Sequence, residues 1–135
     1  EAIKLADKIK VLMCCVGPET HNRGILIVSS YLKDAGMEVI YMGNATAQET
    51  IKVAMEEDVK VVGVSSLSGG HLGVGKILLE LAKSKGIDKK VGFVIGGVIP
   101  PLDIPKLKAL GYNDVYPSGS TREQIINGIK KAVIA

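Results

Sequence analysis

The residues best suited to chemistry in this sequence form the segment Glu19-x-His21-x-x-Gly24. A carboxylate two positions from an imidazole can orient the ring and raise its basicity, an arrangement common among histidines that bind metals. Imidazole nitrogen suits transition metals of intermediate softness. Gly24 lets the following backbone approach a large ligand closely because it has no side chain. The segment indicates a metal or cofactor site, while a single loop histidine is also typical of solvated surface.

Short apolar runs alternate with amphipathic stretches along the chain. Apolar and β-branched runs bounded by glycine predict buried strands, and apolar residues that recur every three to four positions predict helices. The predicted strands are 9–16, 37–42, 59–65, 91–95 and 114–116. The predicted helices are 22–35, 46–58, 71–85, 104–110 and 121–133, and residues 100 and 101 begin a loop.

Two of the predicted helices begin with capping signals. Thr46 is followed three positions later by Glu49, which is the capping-box pattern. Helical periodicity counted from this N-cap predicts that Ile51, Ala54 and Met55 lie on the buried face of the helix. The last helix has a similar signal. Its N-cap is predicted at Ser120 or Thr121, and the partner near the third helical position is Glu123 or Gln124.

Five strands that alternate with five helices are typical of an α/β domain, in which right-handed βαβ units form a parallel sheet covered on both faces. With five strands we expect the flavodoxin-like (Rossmann-like) doubly wound order 2-1-3-4-5. The length of 135 residues fits one domain. We expect residues 9–135 to form it and residues 1–8 to be a lead-in or tail.

In such sheets a ligand lies outside the carboxyl ends of the strands, beside the first and third strands. The segments that follow the predicted strands are therefore the informative ones. They are rich in Gly, Ser, Thr and Pro and hold both histidines of the chain. They cover residues 17–24, 43–46, 65–71, 96–101 and 117–121.

These segments exclude several common occupants of the fold. A phospho-receiver domain needs acidic residues after the first and third strands to hold Mg²⁺, whereas these ends read Cys-Cys-Val-Gly and Ser-Ser-Leu-Ser. Neither a GxGxxG dinucleotide fingerprint nor a Walker A motif is present. The loop after the first strand has one hydroxyl group, and only 4% of the residues are aromatic, which argues against a flavin mononucleotide site.

Composition excludes further classes. A net charge of +3, few aromatic residues and no tryptophan argue against binding to nucleic acid. The sequence shows no apolar run long enough to cross a bilayer and no secretory signal. Cys14 and Cys15 are adjacent, and adjacent cysteines rarely form a disulfide with each other. We expect both, like Met13, to be core residues. Free cysteines favour a cytoplasmic location.

Three motifs together carry a resemblance. Ser65-Ser66-Leu67 and Gly96-Gly97 follow the third and fourth predicted strands. With the segment around His21 they resemble the DxHxxG…SxL…GG signature of cobalamin-binding domains. The stretches VGPETHNRG, DAGMEVIYMG, VVGVSSLSGGH, GGVIPP and YPSGS are similar to the small cobalamin domain of the methylmalonyl-CoA mutase family. The resemblance covers residues 8–133 and departs at Glu19, where the family has Asp.

The resemblance implies a set of cofactor contacts. In that family cobalamin binds base-off, and its dimethylbenzimidazole enters a deep slot between the sheet and flanking helices. His21 would be the lower axial ligand of cobalt, and Glu19 would hydrogen-bond its imidazole. Ser65 would meet the benzimidazole. The other residues that the resemblance assigns to the cofactor are Arg23, Gly24, Leu67, His71, Gly96, Gly97 and Gly119, of which Arg23 and His71 also read as surface residues at helix ends.

The resemblance also implies a function. It points to an adenosylcobalamin-binding subunit or domain of an acyl-CoA carbon-skeleton mutase, with methylmalonyl-CoA and succinyl-CoA as the expected pair. Such a chain is not active alone, and its partner would be an acyl-CoA-binding barrel domain or large mutase subunit, with no role for nucleic acid or a membrane. The alternatives are a corrinoid carrier module for methyl transfer, usually preceded by a helical cap domain, and a non-catalytic cobalamin-binding or sensor domain.

Overall fold

The computed structural model describes residues 9–16, 23–66 and 71–134. Its strands form one parallel five-stranded sheet in the order β2-β1-β3-β4-β5, which confirms the predicted doubly wound topology. The strands are β1 (Lys10–Val16), β2 (Glu38–Ala45), β3 (Val61–Ser66), β4 (Gly92–Gly97) and β5 (Asp114–Pro117). The helices are α1 (Arg23–Asp34), α2 (Ala47–Glu56), α3 (His71–Ser84), α4 (Ile104–Leu110, after a 3₁₀ turn at Pro101–Asp103) and α5 (Arg122–Ala132).

The sheet has a hydrophobic core on each face, because successive strand side chains point to opposite sides. Helices α2, α3 and α4 cover one face, where Leu12 and Phe93 are among the buried residues. Helices α1 and α5 cover the other, where Met13 and Val94 pack with residues of both helices. Helices on both faces of a parallel sheet account for its nearly continuous apolar strands.

The largest boundary differences occur where strands end in small residues. Strand β2 continues to Ala45, three residues past its predicted end, because it stays paired with β1 beyond a register shift between Met13 and Cys14. Strand β4 includes Gly96 and Gly97, which pair with Ser65 and Ser66 of β3. Glycine is typical of turns, so sequence pattern alone ends these strands too early.

The predicted capping box at the start of α2 is confirmed. The Glu49 backbone N–H donates to Thr46 Oγ1 at 3.0 Å, and the Thr46 backbone N–H donates to Glu49 Oε1 at 2.9 Å. The prediction for Met55 is wrong, since its side chain is 49% exposed. The buried stripe of α2 follows Ala47, Thr50, Ile51 and Ala54, and it leaves Met55 beyond its edge. The last helix has the matching box between Thr121 and Gln124.

Replacing Thr46 with alanine is expected to lower the free energy of unfolding by about 1 kcal/mol, because the helix then loses its side-chain N-cap. Urea unfolding of the purified chain measures this change. Gln48→Ala, at an exposed position in the same first turn, is the matched control and should stay within about 0.5 kcal/mol of the wild type. Equal stabilities for the two variants would contradict the role given to the capping box.

The two adjacent thiols are both buried and form no disulfide. Burial raises the pKa of Cys14 to about 11, and its Sγ lies 3.6 Å from Thr50 Oγ1. A thiol with this pKa is protonated at neutral pH and is a poor nucleophile. The structure therefore confirms that Cys14 and Cys15 are core residues. Over the described ranges, none of the helices is long and apolar enough to cross a membrane.

Candidate functional site

A cavity of about 380 Å³ opens at the carboxyl edge of the sheet, on the face covered by α1 and α5. Its lining comes from strands β1, β3, β4 and β5, from one side of α1 and of α5, and from the turn at residues 117–120. The volume lies near the lower end of the range of about 300–1,000 Å³ found for small-molecule sites. This cavity, called the slot below, is the candidate functional site.

Strand register explains the floor of the slot. Cys15, Ser65, Gly96 and Tyr116 are paired neighbours on β1, β3, β4 and β5 and form one row across the sheet. The row before it contains Met13, Gly63, Val94 and Asp114. Both rows face α1 and α5 because strand residues two apart share a face. The central residues of the first row, Ser65 and Gly96, are small, so this part of the floor has no bulky side chain.

The structure brings five of the sequence-predicted site residues to the slot. Ser65 is half-buried in its floor, and four glycines from separate parts of the chain line it as well. These glycines are Gly24 of α1, Gly96 and Gly97 of β4, and Gly119 of the turn before α5. Their convergence was expected from the strand ends, and their contact with a cofactor stays a prediction.

The other predicted site residues lie partly or wholly outside the described residues. Glu19, His21 and Leu67 are not among them. Arg23 and His71 are the first residues of α1 and α3, and their side chains lie outside the described part of the structure. Helix α1 begins beside the slot, since Gly24 and Ile25 both line it.

Gly97 shows why one wall of the slot has no side chain. Its φ of 135° is a conformation that residues with a Cβ rarely adopt. A Cβ at this position would also overlap the carbonyl oxygen of Ser66 on the neighbouring strand. At Gly96 a Cβ would lie 3.1 Å from the carbonyl oxygen of Tyr116. The paired glycines thus allow tight strand contact and keep the slot open.

Sequence reasoning missed several residues that line the slot. Met13 and Gly63 belong to its floor, and a Cβ on Gly63 would lie only 2.6 Å from Met13 Sδ. A glycine inside an otherwise β-branched strand signals such a close approach, and this signal was available at Gly63. Met13 was expected in the core, and it is a core residue that also reaches the slot.

Two of the four tyrosines line the slot, although aromatic residues are scarce in the chain. Tyr31 comes from α1 and Tyr116 from β5, on different sides of the cavity. The Arg122 guanidinium lies over the Tyr31 ring at 5.8 Å from its centroid, a cation–π contact that joins α5 to α1. Within the described ranges, no group of three or more His, Cys, Asp and Glu could hold a metal ion.

The sequence matches a known protein family and several characterised proteins. Residues 9–126 match the B12 binding domain family. The chain is 42% identical over 119 residues to the pivalyl-CoA mutase small subunit of Xanthobacter autotrophicus, covering 87% of this chain and 79% of that protein. It is 38% identical over 128 residues to the 2-hydroxyisobutanoyl-CoA mutase small subunit of Aquincola tertiaricarbonis, covering 94% and 93%.

A longer relative and a solved structure extend the comparison. The chain is 34% identical to the methylmalonyl-CoA mutase large subunit of Streptomyces virginiae, covering 93% of this chain and only 17% of that protein. The structure of the Methanosarcina barkeri monomethylamine corrinoid protein superimposes with a TM-score of 0.77 over 96% of this chain and 60% of that one. At 13% sequence identity this likeness shows a shared fold alone.

Proposed function

Because this chain belongs to the B12 binding domain family, we propose that it is the adenosylcobalamin-binding small subunit of an acyl-CoA carbon-skeleton mutase. Two small subunits of CoA mutases share 42% and 38% identity with it over most of their own lengths. The structural observation that carries the proposal is the slot at the carboxyl edge, where four predicted glycines and Ser65 meet.

The residues of the slot fit part of a cobalamin. Glycine positions at Gly96 and Gly97 leave flat backbone walls, and Met13 and Ile25 add apolar surface. Such walls suit a planar, largely apolar bicyclic base, which would exclude water from the strip along β3 and β4. A cavity of about 380 Å³ suits the nucleotide tail, so the larger corrin ring would lie over the carboxyl edge.

The chain's own residues would then hold the cofactor in one orientation. His21 would bind cobalt through one imidazole nitrogen, and Glu19 would hydrogen-bond the other ring nitrogen and keep the imidazole basic. Leu67, with Ser65, would line the slot, and Arg23 and His71 would contact the corrin periphery. The chemistry that bound adenosylcobalamin supplies is radical generation for a 1,2-rearrangement of the acyl carbon skeleton.

The proposal includes a partner. The relatives named as small subunits imply a large subunit, and we propose that it supplies an acyl-CoA-binding barrel and covers the bound cofactor. The acyl group would then be selected by the partner, with methylmalonyl-CoA and succinyl-CoA as the pair expected from sequence. Residues 9–135 would form the cobalamin domain in a reducing cytoplasm, where Cys14 and Cys15 stay thiols.

The two histidines allow a sharp test of this function. Cob(II)alamin is mixed with the purified chain in which histidine carries ¹⁴N or ¹⁵N, and its electron paramagnetic resonance spectrum is recorded. We expect base-off cobalt with nitrogen coupling that changes with the histidine isotope. His21→Ala should lose this coupling. His71→Ala removes the only other histidine and should keep it.

The outcomes test the proposed function and separate it from that of a corrinoid carrier. A wild-type chain that binds no cobalamin contradicts the proposed function, and unchanged coupling in His21→Ala contradicts the ligand assignment. A corrinoid carrier would transfer a methyl group from methylcobalamin to an acceptor. The mutase subunit should instead support acyl-CoA rearrangement once a large subunit is added.

A further inference from the structure

A groove of about 420 Å³ lies at the amino edge of the sheet, at the end opposite the slot. Its apolar lining comes from the end of α2, from the connections that lead into β3 and β4, and from the chain after α5. These residues are Ala54, Met55, Val59, Ile87, Val91 and Ile134. Met55 is 49% exposed and Ile134 is 37% exposed. Exposed apolar side chains that gather in one concave place are typical of an interaction surface, and this place is called the amino-edge groove below.

Gly92 explains how the end of α5 reaches this groove from the other face of the sheet. A Cβ at Gly92, the first residue of β4, would overlap the carbonyl oxygen of Ala132 at the end of α5. The helix end therefore packs directly against the strand backbone. Val133 then ends the helix in an extended conformation, with φ −66° and ψ 123°. Ile134 follows and lines the groove together with Val91.

The charged side chains that line the amino-edge groove are mostly basic. Lys60, Lys89 and Lys90 line it, against one acidic residue, Asp58. All four are exposed. Lys60 precedes β3, whereas Lys89 and Lys90 precede β4, so the basic charge is greatest at the β4 end of the groove. The occupant that fits has an apolar face for the floor and an acidic group at its β4 end.

The first described residues of the chain lie at the same edge of the sheet. The Lys60 backbone N–H donates to the Lys10 carbonyl oxygen at 2.8 Å, and the Lys10 ammonium donates to the Glu57 carbonyl oxygen at 3.1 Å. Ile9, which precedes Lys10, is buried. Strand β1 is the direct neighbour of β3, and neighbouring strands are about 5 Å apart. The described chain therefore begins one strand spacing from the groove residue Lys60.

The eight residues before Ile9 have the pattern of an amphipathic helix. Ala2, Leu5, Ala6 and Ile9 follow the spacing i, i+3, i+4 and i+7. Eight helical residues are about 12 Å long, and β4 lies two strand spacings, about 10 Å, from β1. A helix that started from Ile9 and ran along the groove would thus end beside β4. Its far end carries the acidic residue Glu1, which suits the basic end of the groove.

We propose that residues 1–8 dock as a short helix in the amino-edge groove. Leu5 packs against Met55 and Ile134, and Glu1 lies beside the lysines at the β4 end. Burial of these apolar side chains against one another stabilises the docked segment. The groove and the slot lie at opposite ends of the sheet, so this inference does not rest on the proposed function and is tested without a cofactor.

Methionine oxidation of the full chain by hydrogen peroxide tests the docking, with the rate at each methionine read by peptide mass spectrometry. Leu5→Ser should make Met55 oxidise about 5-fold faster, which corresponds to a loss of about 1 kcal/mol of docking free energy. Lys4→Ser is the matched control, because leucine and lysine have similar helix propensities and Lys4 lies off the apolar stripe. It should leave the Met55 rate unchanged. Met42, half-buried on β2 and outside the groove, is the internal reference and should oxidise equally in all three proteins.

A disulfide tests the contact itself. The double variant Leu5→Cys with Ile134→Cys should form a disulfide within one chain on mild oxidation, because docking brings the two thiols together. Mass spectrometry of the unreduced chain detects this bond. Lys4→Cys with Ile134→Cys is the control and should form the bond far more slowly, since its thiol lies on the opposite side of the helix. The native thiols Cys14 and Cys15 are buried and should not compete.

The outcomes distinguish residues 1–8 from other occupants of the groove. Faster oxidation of Met55 in Leu5→Ser alone, together with the disulfide within one chain, supports the proposal. Equal Met55 rates in the wild type and both serine variants overturn it. A disulfide that joins two chains also overturns it, because a second copy then fills the groove. Protection of Met55 that arises only when a large mutase subunit is added overturns it in favour of that partner.

Discussion

Replacing Ser65 with leucine is expected to weaken cobalamin binding by about 100-fold, or about 2.7 kcal/mol. Ser65 lies in the floor of the slot between Cys15 and Gly96, and it is half-buried. A leucine side chain here would occupy the strip that the aromatic base needs. The same side chain fills space inside the free protein, so the thermal stability without cofactor should stay constant or rise.

Equilibrium titration with cobalamin, followed by visible absorption, measures this effect. Ser65→Ala is the matched control, because it removes the hydroxyl and leaves the space. It should weaken binding by no more than about 10-fold, the value of one hydrogen bond. Leucine and alanine variants with equal affinities would show that the base does not pass Ser65 and would contradict the proposed use of the slot.

Replacing Gly97 with alanine is expected to lower the free energy of unfolding by about 3 kcal/mol in the absence of any cofactor. Two effects act together at this position. The φ of 135° is unfavourable for alanine, and the new Cβ would overlap the Ser66 carbonyl oxygen of the paired strand. Relief would require β3 and β4 to separate at the carboxyl edge, where their pairing forms one wall of the slot.

Urea unfolding measures this loss, and Gly96→Ala is its control. At Gly96 the added Cβ meets the Tyr116 carbonyl oxygen at 3.1 Å, which a small shift of β5 can relieve. We expect a loss of about 1 kcal/mol there. A Gly97→Ala protein as stable as Gly96→Ala would mean that backbone conformation at Gly97 is not a structural requirement.

The fold was predictable because its signals are local and repeated. The alternation of apolar runs with helical periodicity is enough to indicate parallel βαβ units, and the short connections restrict their order. Capping at Thr46 was predicted from residue types three positions apart. For the last helix the same pattern left Ser120 and Thr121 as alternatives, and the structure shows the cap at Thr121. The ends of β2 and β4 were not predicted correctly. Their glycines are typical of turns, but they remain in the sheet because they pair with a neighbouring strand.

The candidate site was predictable in part for a related reason. Gly24, Ser65, Gly96, Gly97 and Gly119 all lie at or near strand ends, and parallel strands bring those ends to one edge. Tyr31 lies inside a helix, and its place in the slot depends on how α1 rotates against the sheet. Tyr116 was within a predicted strand, but nothing local showed that it would line the slot.

Sequence alone determined the topology, and it predicted the edge at which a ligand would lie and the motif that carries His21, because these depend on residue type and spacing along one chain. Tertiary structure decided what the slot is made of. Pairing across β1, β3, β4 and β5 placed small residues in adjacent rows, and packing of α5 against β5 set Gly128 against Asp114 and Tyr116. Such contacts join residues from separate elements, so they exist only after the sheet and helices have assembled.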